Sequence, residues 1–409
     1  MSFEITSGDT KRSGWPQGTG MIYLAMSPWH GMWKNRQQLM SRFAREMPVL
    51  YVEPWARLRR VRRQLLSPDF AARRKNVPTV EKLAPNLFVY HSPARYAVSG
   101  SRLLANLTQK RWLQAVRRAA RAAGIEKPIL WISLPEMAFA LDNLGECVSI
   151  YHVVDEYGGY TGRDRLGPDK LRNAEQQLLD DVDLTIVVSP ELAELKSGAG
   201  RTIALVENAV DFQAFREASE VRRRPAEFDR IPGPRLGYSG LIGKRLNLGL
   251  LLLLARRHPD WSIVLVGSVD RRGCEDAIDA LDRMENVYFL GETDVSRVPH
   301  YISAFDIGLL PYELNLETRH ISPLKLFEYL AAGKPVVATE IPSAVRHQAV
   351  ISVAREEGQF AECCRKLIDS PPDNSTTDLF LRYAAANTWD HRVQEISVLL
   401  GRELDRVLR

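Results

Sequence analysis

Cysteine is scarce in this sequence: Cys147, Cys274, Cys363 and Cys364 are all that its 409 residues contain. Their spacing fits no metal-ligand pattern, and a disulfide framework does not suit so long a chain. A reducing, cytoplasmic setting without zinc or another metal is therefore expected. Long apolar runs are missing too. The longest, LGLLLLLA from Leu248 to Ala255, falls well short of the roughly 18 residues of a membrane span and reads as a buried helix. The first twenty residues, MSFEITSGDTKRSGWPQGTG, lack the apolar segment of a secretory signal. What the chain does have is 45% hydrophobic and 26% charged residues, an ordinary globular composition long enough for two cores.

The net charge of +5 conceals an asymmetry. Between Tyr51 and Ile125 sixteen Lys/Arg face three acids, Glu53, Asp69 and Glu81. That block carries +13, so the remainder carries −8, the difference from the total. A basic block beside an acidic remainder implies an anionic partner. Within it WARLRRVRRQLL (Trp55 to Leu66) mixes arginines with Leu58, Val61, Leu65 and Leu66, and RRK follows at 73–75. The segment Arg57–Lys75 fits an interfacial stretch on anionic lipid. It also reads as a soluble basic excursion. No nucleic-acid-binding motif accompanies the charge, so nucleic acid is not the expected partner.

Short apolar strand patterns alternate with helical ones along almost the whole chain, the rhythm of parallel α/β sheets. MIYLAM, PVLYVE, LFVYH, PILWIS, VSIYHVV, LTIVVS and IALVEN are the strand candidates of the first half; RLGYSG, SIVLVG, VYFLG, DIGLLPY, PVVAT and ISVA are those of the second. Helical patterns intervene at Lys34–Arg45, Arg102–Ala123, Leu246–Arg257 and Cys274–Met284. The charged, proline-bearing segment from Asp211 to Pro234 contains the expected linker. The predicted fold class is α/β: two Rossmann-like, doubly wound domains over 1–210 and 211–385, with a ligand cleft at the C-terminal ends of the sheets. A capped amphipathic helix over 386–409, with Trp389 near its start, is expected to cross back onto the first domain.

The most informative stretch is SPLKLFEYLAAGKPVVAT, Ser322 to Thr339. Ser322 suits an N-cap, Pro323 the first helical position, and Gly333 with Pro335 a stop. Leu324, Phe327 and Leu330 form a core stripe, while Lys325 and Glu328, three apart, share another face. A capping box would need its glutamate at Lys325, so Glu328 is not explained by capping.

The order of these segments resembles the GT-B glycosyltransferases, and the second half is similar to family 4 and its polysaccharide-assembly relatives. PRLGYSGLIGKRLNLGLL, WSIVLVG, NVYFLGETDVSRVPHYISAFDIGLLPY and SPLKLFEYLAAGKPVVAT carry the likeness, with VDLTIVVSPEL and VENAVDFQAF matching more loosely. Resemblance implies a nucleotide-sugar donor on the second domain and an acceptor on the first. Family 4 enzymes usually carry two glutamates eight positions apart. Glu328 matches the second, whereas His320 stands where the first would fall and Glu317 lies three residues earlier. The departure leaves the retaining mechanism and the sugar open.

Each candidate has a functional and a bland reading. The N-terminus of the Ser322 helix presents free N–H groups to a diphosphate, Lys325 adds a charge, and Glu328 accepts from ribose hydroxyls. On the bland reading Lys325 and Glu328 are an exposed ion pair worth a few tenths of a kcal/mol. In the loop Gly240-Leu-Ile-Gly243-Lys244-Arg245 the glycines permit close approach. Lys244 or Arg245 neutralises the β-phosphate, with arginine preferred for its bidentate fork. Gly267 lets a base approach. The nucleotide-sugar set is therefore Gly240, Gly243, Lys244, Arg245, Gly267, His320, Ser322, Pro323, Leu324, Lys325 and Glu328. Asp155 and Glu156, just beyond VSIYHVV, and His30 in SPWHGMWKNR are the candidate acid–base groups; turn capping is the bland reading of Asp155. His152 reads as a satisfied core histidine, and Trp29 and Trp33 either meet a sugar or close the core.

Together these readings predict a metal-independent glycosyltransferase of hexosyl type, without a cofactor. It would act on a lipid-linked glycan acceptor at the inner membrane surface. A GT-B nucleotide-sugar epimerase and a catalytically eroded membrane adaptor are the alternatives.

Overall fold

The structure is a computed structural model that describes residues 15–31, 33–54, 79–93, 102–156, 168–221 and 224–407. The basic segment Arg57–Lys75 and most of the first twenty residues lie outside the described residues. The chain divides into two compact units. The first comprises Met1–Pro28, Met40–Ile132 and Phe139–Ile150; the second comprises Trp29–Leu39, Ser133–Ala138 and Tyr151–Arg409.

In the first unit β1 (Thr19–Leu24), β2 (Val49–Val52), β3 (Val80–Ala84), β4 (Leu87–Tyr90) and β5 (Lys127–Ile132) run in the order β3-β4-β2-β1-β5. β6 (Val148–Val153) begins there. β1 pairs in parallel with β2 and β5, β2 with β4, and only the β3–β4 pair is antiparallel. Every residue of β1 and β2 is buried, which is why both read as unbroken apolar runs rather than alternating ones. Tyr23 and Tyr51 stack at 5.3 Å across this pair.

The second unit holds the parallel pair β7 (Leu184–Val187) and β8 (Ile203–Leu205). It also holds a six-stranded sheet of β9 (Arg235–Ser239), β10 (Ser262–Val266), β11 (Val287–Gly291), β12 (Ile307–Leu310), β13 (Val336–Thr339) and β14 (Ser352–Ala354). Its order is β11-β10-β9-β12-β13-β14 and every pair is parallel. The chain thus builds outward from β9 in one direction, returns, and builds outward from β12 in the other. This is the doubly wound order, with its switch point between β9 and β12. Two glycines make its core possible. A β-carbon on Gly237 would overlap the ring of Phe305, and one on Gly308 that of Tyr329, so the two rings lie directly on the sheet.

The helices follow their sequence patterns closely. Lys34–Arg45 becomes Asn35–Phe43, Arg102–Ala123 becomes Arg102–Ala122, and Leu246–Arg257 becomes Leu248–Arg257 with Asn247 capping the amide of Leu250 at 2.7 Å. Two expectations need correction. The linker segment after Asp211 contains a helix, Phe212–Val221, which buries Phe215 and Ala218. Its charges sit on the outer face, where Arg216 and Glu220 pair at i,i+4. Ser322 is not the N-cap of its helix: the helix is Leu324–Ala331 and Pro323 occupies the cap position. Ser322 is buried, and its carbonyl accepts from the Asn208 side chain at 2.6 Å. That tertiary bond ties down the backbone before the helix, which starts one residue later than expected. Gly333, at φ +69°, ends it. The final helix, Trp389–Val407, is tied through Arg392 to the Glu207 carbonyl at 2.9 Å and through Arg406 to Asp183 at 3.2 Å.

Candidate functional site

At a switch point the loops leaving two neighbouring strands diverge and leave a crevice. Here they are the loop after β9, from Gly240 to Asn247, and the loop after β12, from Pro311 to Pro323. They are stitched together by Asn247 N–H to the Pro311 carbonyl at 2.7 Å and Glu313 N–H to the Arg245 carbonyl at 2.9 Å. The second loop is folded on Thr318, which is fully buried and hydrogen-bonds to Glu313 and Asn315. This turn presents Glu317 to the first loop, where its carboxylate accepts from Lys244 at 2.7 Å and lies 3.7 Å from Arg245. Those cations, Lys244 foremost, hold Glu317 below the usual carboxylate range.

Backbone contact sets the floor of the site. Gly240 has φ +144° and Gly267 φ +135°, conformations that side-chain-bearing residues rarely adopt. A β-carbon on Gly267 would overlap the Gly240 carbonyl oxygen. One on Gly240 would run into the Lys325 stem and stand 2.9 Å from its Nζ. A β-carbon on Gly243 would stand 2.9 Å from the Asp270 carbonyl. Gly240 therefore brings Lys325 onto the end of β9, whereas Gly243 and Gly267 serve backbone packing. Gly267→Ala is expected to lower the unfolding free energy by about 3 kcal/mol or more, as overlap adds to a strained φ. A denaturant midpoint within error of the wild type would exclude that account.

Lys325 and Glu328 are half-buried, and among the described residues neither makes an ion pair or a side-chain hydrogen bond. Burial pushes the Glu328 carboxyl above its ordinary range, and Lys325 opposes that shift. The exposed ion pair of the bland reading is thus absent among the described residues. Leu324 is half-buried, while Phe327 and Leu330 are fully buried as part of the stripe, with Leu326 and Tyr329 added to it.

Asp155 follows β6 and belongs to the same compact unit as Arg245 and Lys325. Its carboxylate accepts from Arg245 at 2.8 Å and from the Glu156 amide at 3.0 Å. Burial raises its pKa, and the Arg245 charge opposes the rise. Glu156 is directed elsewhere. It pairs at 2.8 Å with Lys196, which is only 5% exposed and also binds Glu175 at 2.9 Å. Tyr151 donates to Glu175 at 2.9 Å. Glu156 thus belongs to a buried ion network that fixes the chain after β6. His30 is exposed. Trp29 is buried and packs edge-on against Trp33 at 5.7 Å, closing the core. His152 is 2% exposed, and burial together with Arg36 lowers its pKa to about 3, so it is neutral. The His320 ring lies 3.2 Å from the Leu316 carbonyl, and its own carbonyl accepts from Ser189 at 3.0 Å.

Reading the sequence for aromatic and acidic groups passes over two cations in the same quoted loop, Lys34 and Arg36. Lys34 keeps solvent contact, yet its pKa falls to about 8, first through desolvation and then through the charges of Arg36, Lys325 and Arg245; Asp155 opposes the fall. Lys34 thus feels three cations, Arg36, Lys325 and Arg245, and one carboxylate, Asp155. Lys34 is largely charged below pH 8 and loses its proton above it. An anion favours the protonated form, so nucleoside diphosphate affinity should weaken as pH rises from 7 to 9. Lys34→Met should flatten that dependence in a calorimetric pH series, and an unchanged slope would remove Lys34 from the site.

The chain also resembles known proteins. Residues 248–370 match the family model described as Glycosyl transferases group 1. Over 239 residues the chain is 30% identical to a Bacillus subtilis (strain 168) protein assigned to teichuronic acid biosynthesis as the glycosyltransferase TuaH. That match covers 56% of this chain and 60% of the relative, so the likeness spans about three fifths of the relative's length. Among solved structures, sucrose-phosphate synthase from Thermosynechococcus elongatus superposes with a TM-score of 0.69 at 16% identity, covering 94% of this chain and 98% of that one. Anabaena HepE in complex with UDP-glucose gives 0.63 at 14% identity, over 94% and 99%. The chain has the GT-B fold, and the group 1 glycosyl transferase match lies within its second half. Among the described residues no helix is long and apolar enough to cross a membrane.

Proposed function

We propose that this protein transfers a sugar from a nucleotide diphosphate donor to a polysaccharide precursor, and that the precursor is a lipid-linked glycan at the inner membrane surface. The observation that carries the reading is the arrangement at the switch point. Among the described residues Lys325 and Glu328 are unpaired on one helix face, and Arg245, in the loop after β9, holds Asp155 at 2.8 Å. Lys325 and Arg245 supply the charge that a departing diphosphate needs, without a metal. The N–H groups of Leu324 and Lys325, at the start of the Leu324–Ala331 helix, lie outside intrahelical bonding and add donors. Glu328 accepts from the ribose, and Asp155 accepts the acceptor hydroxyl's proton once Arg245 has moved to phosphate. The UDP-glucose complex of HepE and the teichuronic acid assignment of TuaH support a nucleotide-sugar donor and a polysaccharide product. The basic segment Arg57–Lys75 supports an anionic membrane surface and a cytoplasmic, peripheral location.

Calorimetric titration with UDP, GDP and dTDP tests the donor half of this reading. Binding of one nucleotide by the wild type, lost in Glu328→Ala, is the expected result. A folded protein that binds none of the three would sink it. Sedimentation with vesicles of mixed anionic and neutral lipid tests the surface: retention that disappears in neutral vesicles is expected, and equal sedimentation with both would refute it.

A further inference from the structure

Arg36 differs from the other three cations of the site. It is the second residue of the Asn35–Phe43 helix, 4% exposed, and its Nε is buried with no hydrogen-bond partner. Among the described residues the guanidinium forms no ion pair and no side-chain hydrogen bond. Its charge is felt by Lys34, of the same sign, and by the neutral His152. The polar side chains on either side of it in the chain are engaged elsewhere: Asn35 donates to Asn208 at 3.3 Å and Gln37 to the Trp29 carbonyl at 3.2 Å. Burying a guanidinium without a counter-charge is costly, and a well-packed apolar side chain of similar length avoids that cost. An arginine kept under these conditions calls for an anion that arrives from outside.

We propose that Arg36, with Lys34 beside it, is a binding site for a phosphoryl group. The guanidinium fork offers several N–H donors to a tetrahedral oxyanion, and the ammonium of Lys34 adds charge on the solvent side. Within the transferase reading two molecules carry such a group: the donor, through its diphosphate, and an acceptor that is itself a phosphate ester. Lys325 and Arg245 already match the charge of a diphosphate, which favours the acceptor.

The test is thermal unfolding of the full chain in inorganic phosphate against chloride at matched ionic strength, with and without saturating UDP. Wild type, Arg36→Met, Arg36→Lys and Lys325→Ala are compared. Without ligand, Arg36→Met should melt at or above the wild-type temperature. Phosphate should raise the melting temperature of the wild type and of Lys325→Ala, raise that of Arg36→Lys less, and leave Arg36→Met unmoved. An Arg36→Met protein that melts lower or does not fold, or one that responds to phosphate like the wild type, overturns the site. A phosphate shift that persists under saturating UDP assigns the group to the acceptor; a shift that UDP abolishes assigns it to the donor. Absence of any UDP response in the wild type counts against the donor reading alone, because the phosphate comparison still decides Arg36.

Discussion

Asp155→Asn should abolish transfer while leaving nucleotide binding intact. The substitution keeps the shape of the side chain and its room beside Arg245, but removes the negative charge and the basicity that take a proton. Loss of a positioned general base costs about 10²–10⁴-fold in turnover. The companion effect makes the expectation specific. In the free protein the Asp155 carboxylate holds Arg245 at 2.8 Å. Asparagine holds it far less tightly, so Arg245 becomes more available to phosphate and nucleoside diphosphate affinity should stay level or rise. A single-turnover assay beside a calorimetric titration separates the two quantities. Full turnover in the variant would remove Asp155 from catalysis, whereas absence of turnover in the wild type itself would favour a binding protein with an eroded reaction centre. Weakened nucleotide binding together with lost turnover would instead make Asp155 a structural residue.

The second large effect is expected at Lys325. An ammonium on a diphosphate is a charge-assisted hydrogen bond, worth about 1.5–3 kcal/mol. Lys325→Ala should therefore weaken nucleoside diphosphate binding by about one to two orders of magnitude. Stability should not follow. Lys325 makes no ion pair among the described residues, and alanine is the better helix former, so the melting temperature of the ligand-free variant should hold or rise. The wild-type affinity should also fall with added salt more steeply than the variant's, since one phosphate contact is gone. Equal affinities in the two proteins would place the donor somewhere other than the Leu324–Ala331 helix.

Much of this was legible before any coordinates. In the second unit RLGYSG, SIVLVG, VYFLG, DIGLLPY, PVVAT and ISVA each became a parallel strand, because a strand covered on both faces must be apolar throughout and short. Lys325 and Glu328 were legible for a similar local reason: three residues apart on a helix fixes a shared face. Other features depended on contacts that spacing does not encode. Phe212–Val221 looked like linker because its exposed face is crowded with charge, which masked Phe215 and Ala218 at helical spacing. Ser322 carried the right chemistry for a cap, but Asn208, 114 residues away, holds its backbone instead. Glu156 and Asp155 were indistinguishable as neighbours, and only the buried Lys196 separates them. Lys34 and Arg36 sat in a loop notable for its tryptophans. Their importance emerges when the start of that helix comes to rest beside His152 and near Arg245 and Lys325.

The bond between Arg245 and Asp155 also bears on the order of events in a catalytic cycle. While Arg245 occupies the carboxylate, an acceptor hydroxyl that arrives early meets a base already engaged. On the proposed reading the carboxylate is released when phosphate draws Arg245 away, so the donor is expected to arrive first and the nucleotide to depart last. Initial rates should then follow a compulsory-order pattern. Released nucleotide would compete with the donor, yet would show mixed inhibition against the acceptor. Acceptor binding of equal strength with and without nucleotide would point to random order, and would mean that the ion pair restrains nothing. Under compulsory order the same contact also keeps the unloaded protein from activating water or alcohols when no sugar is present to transfer.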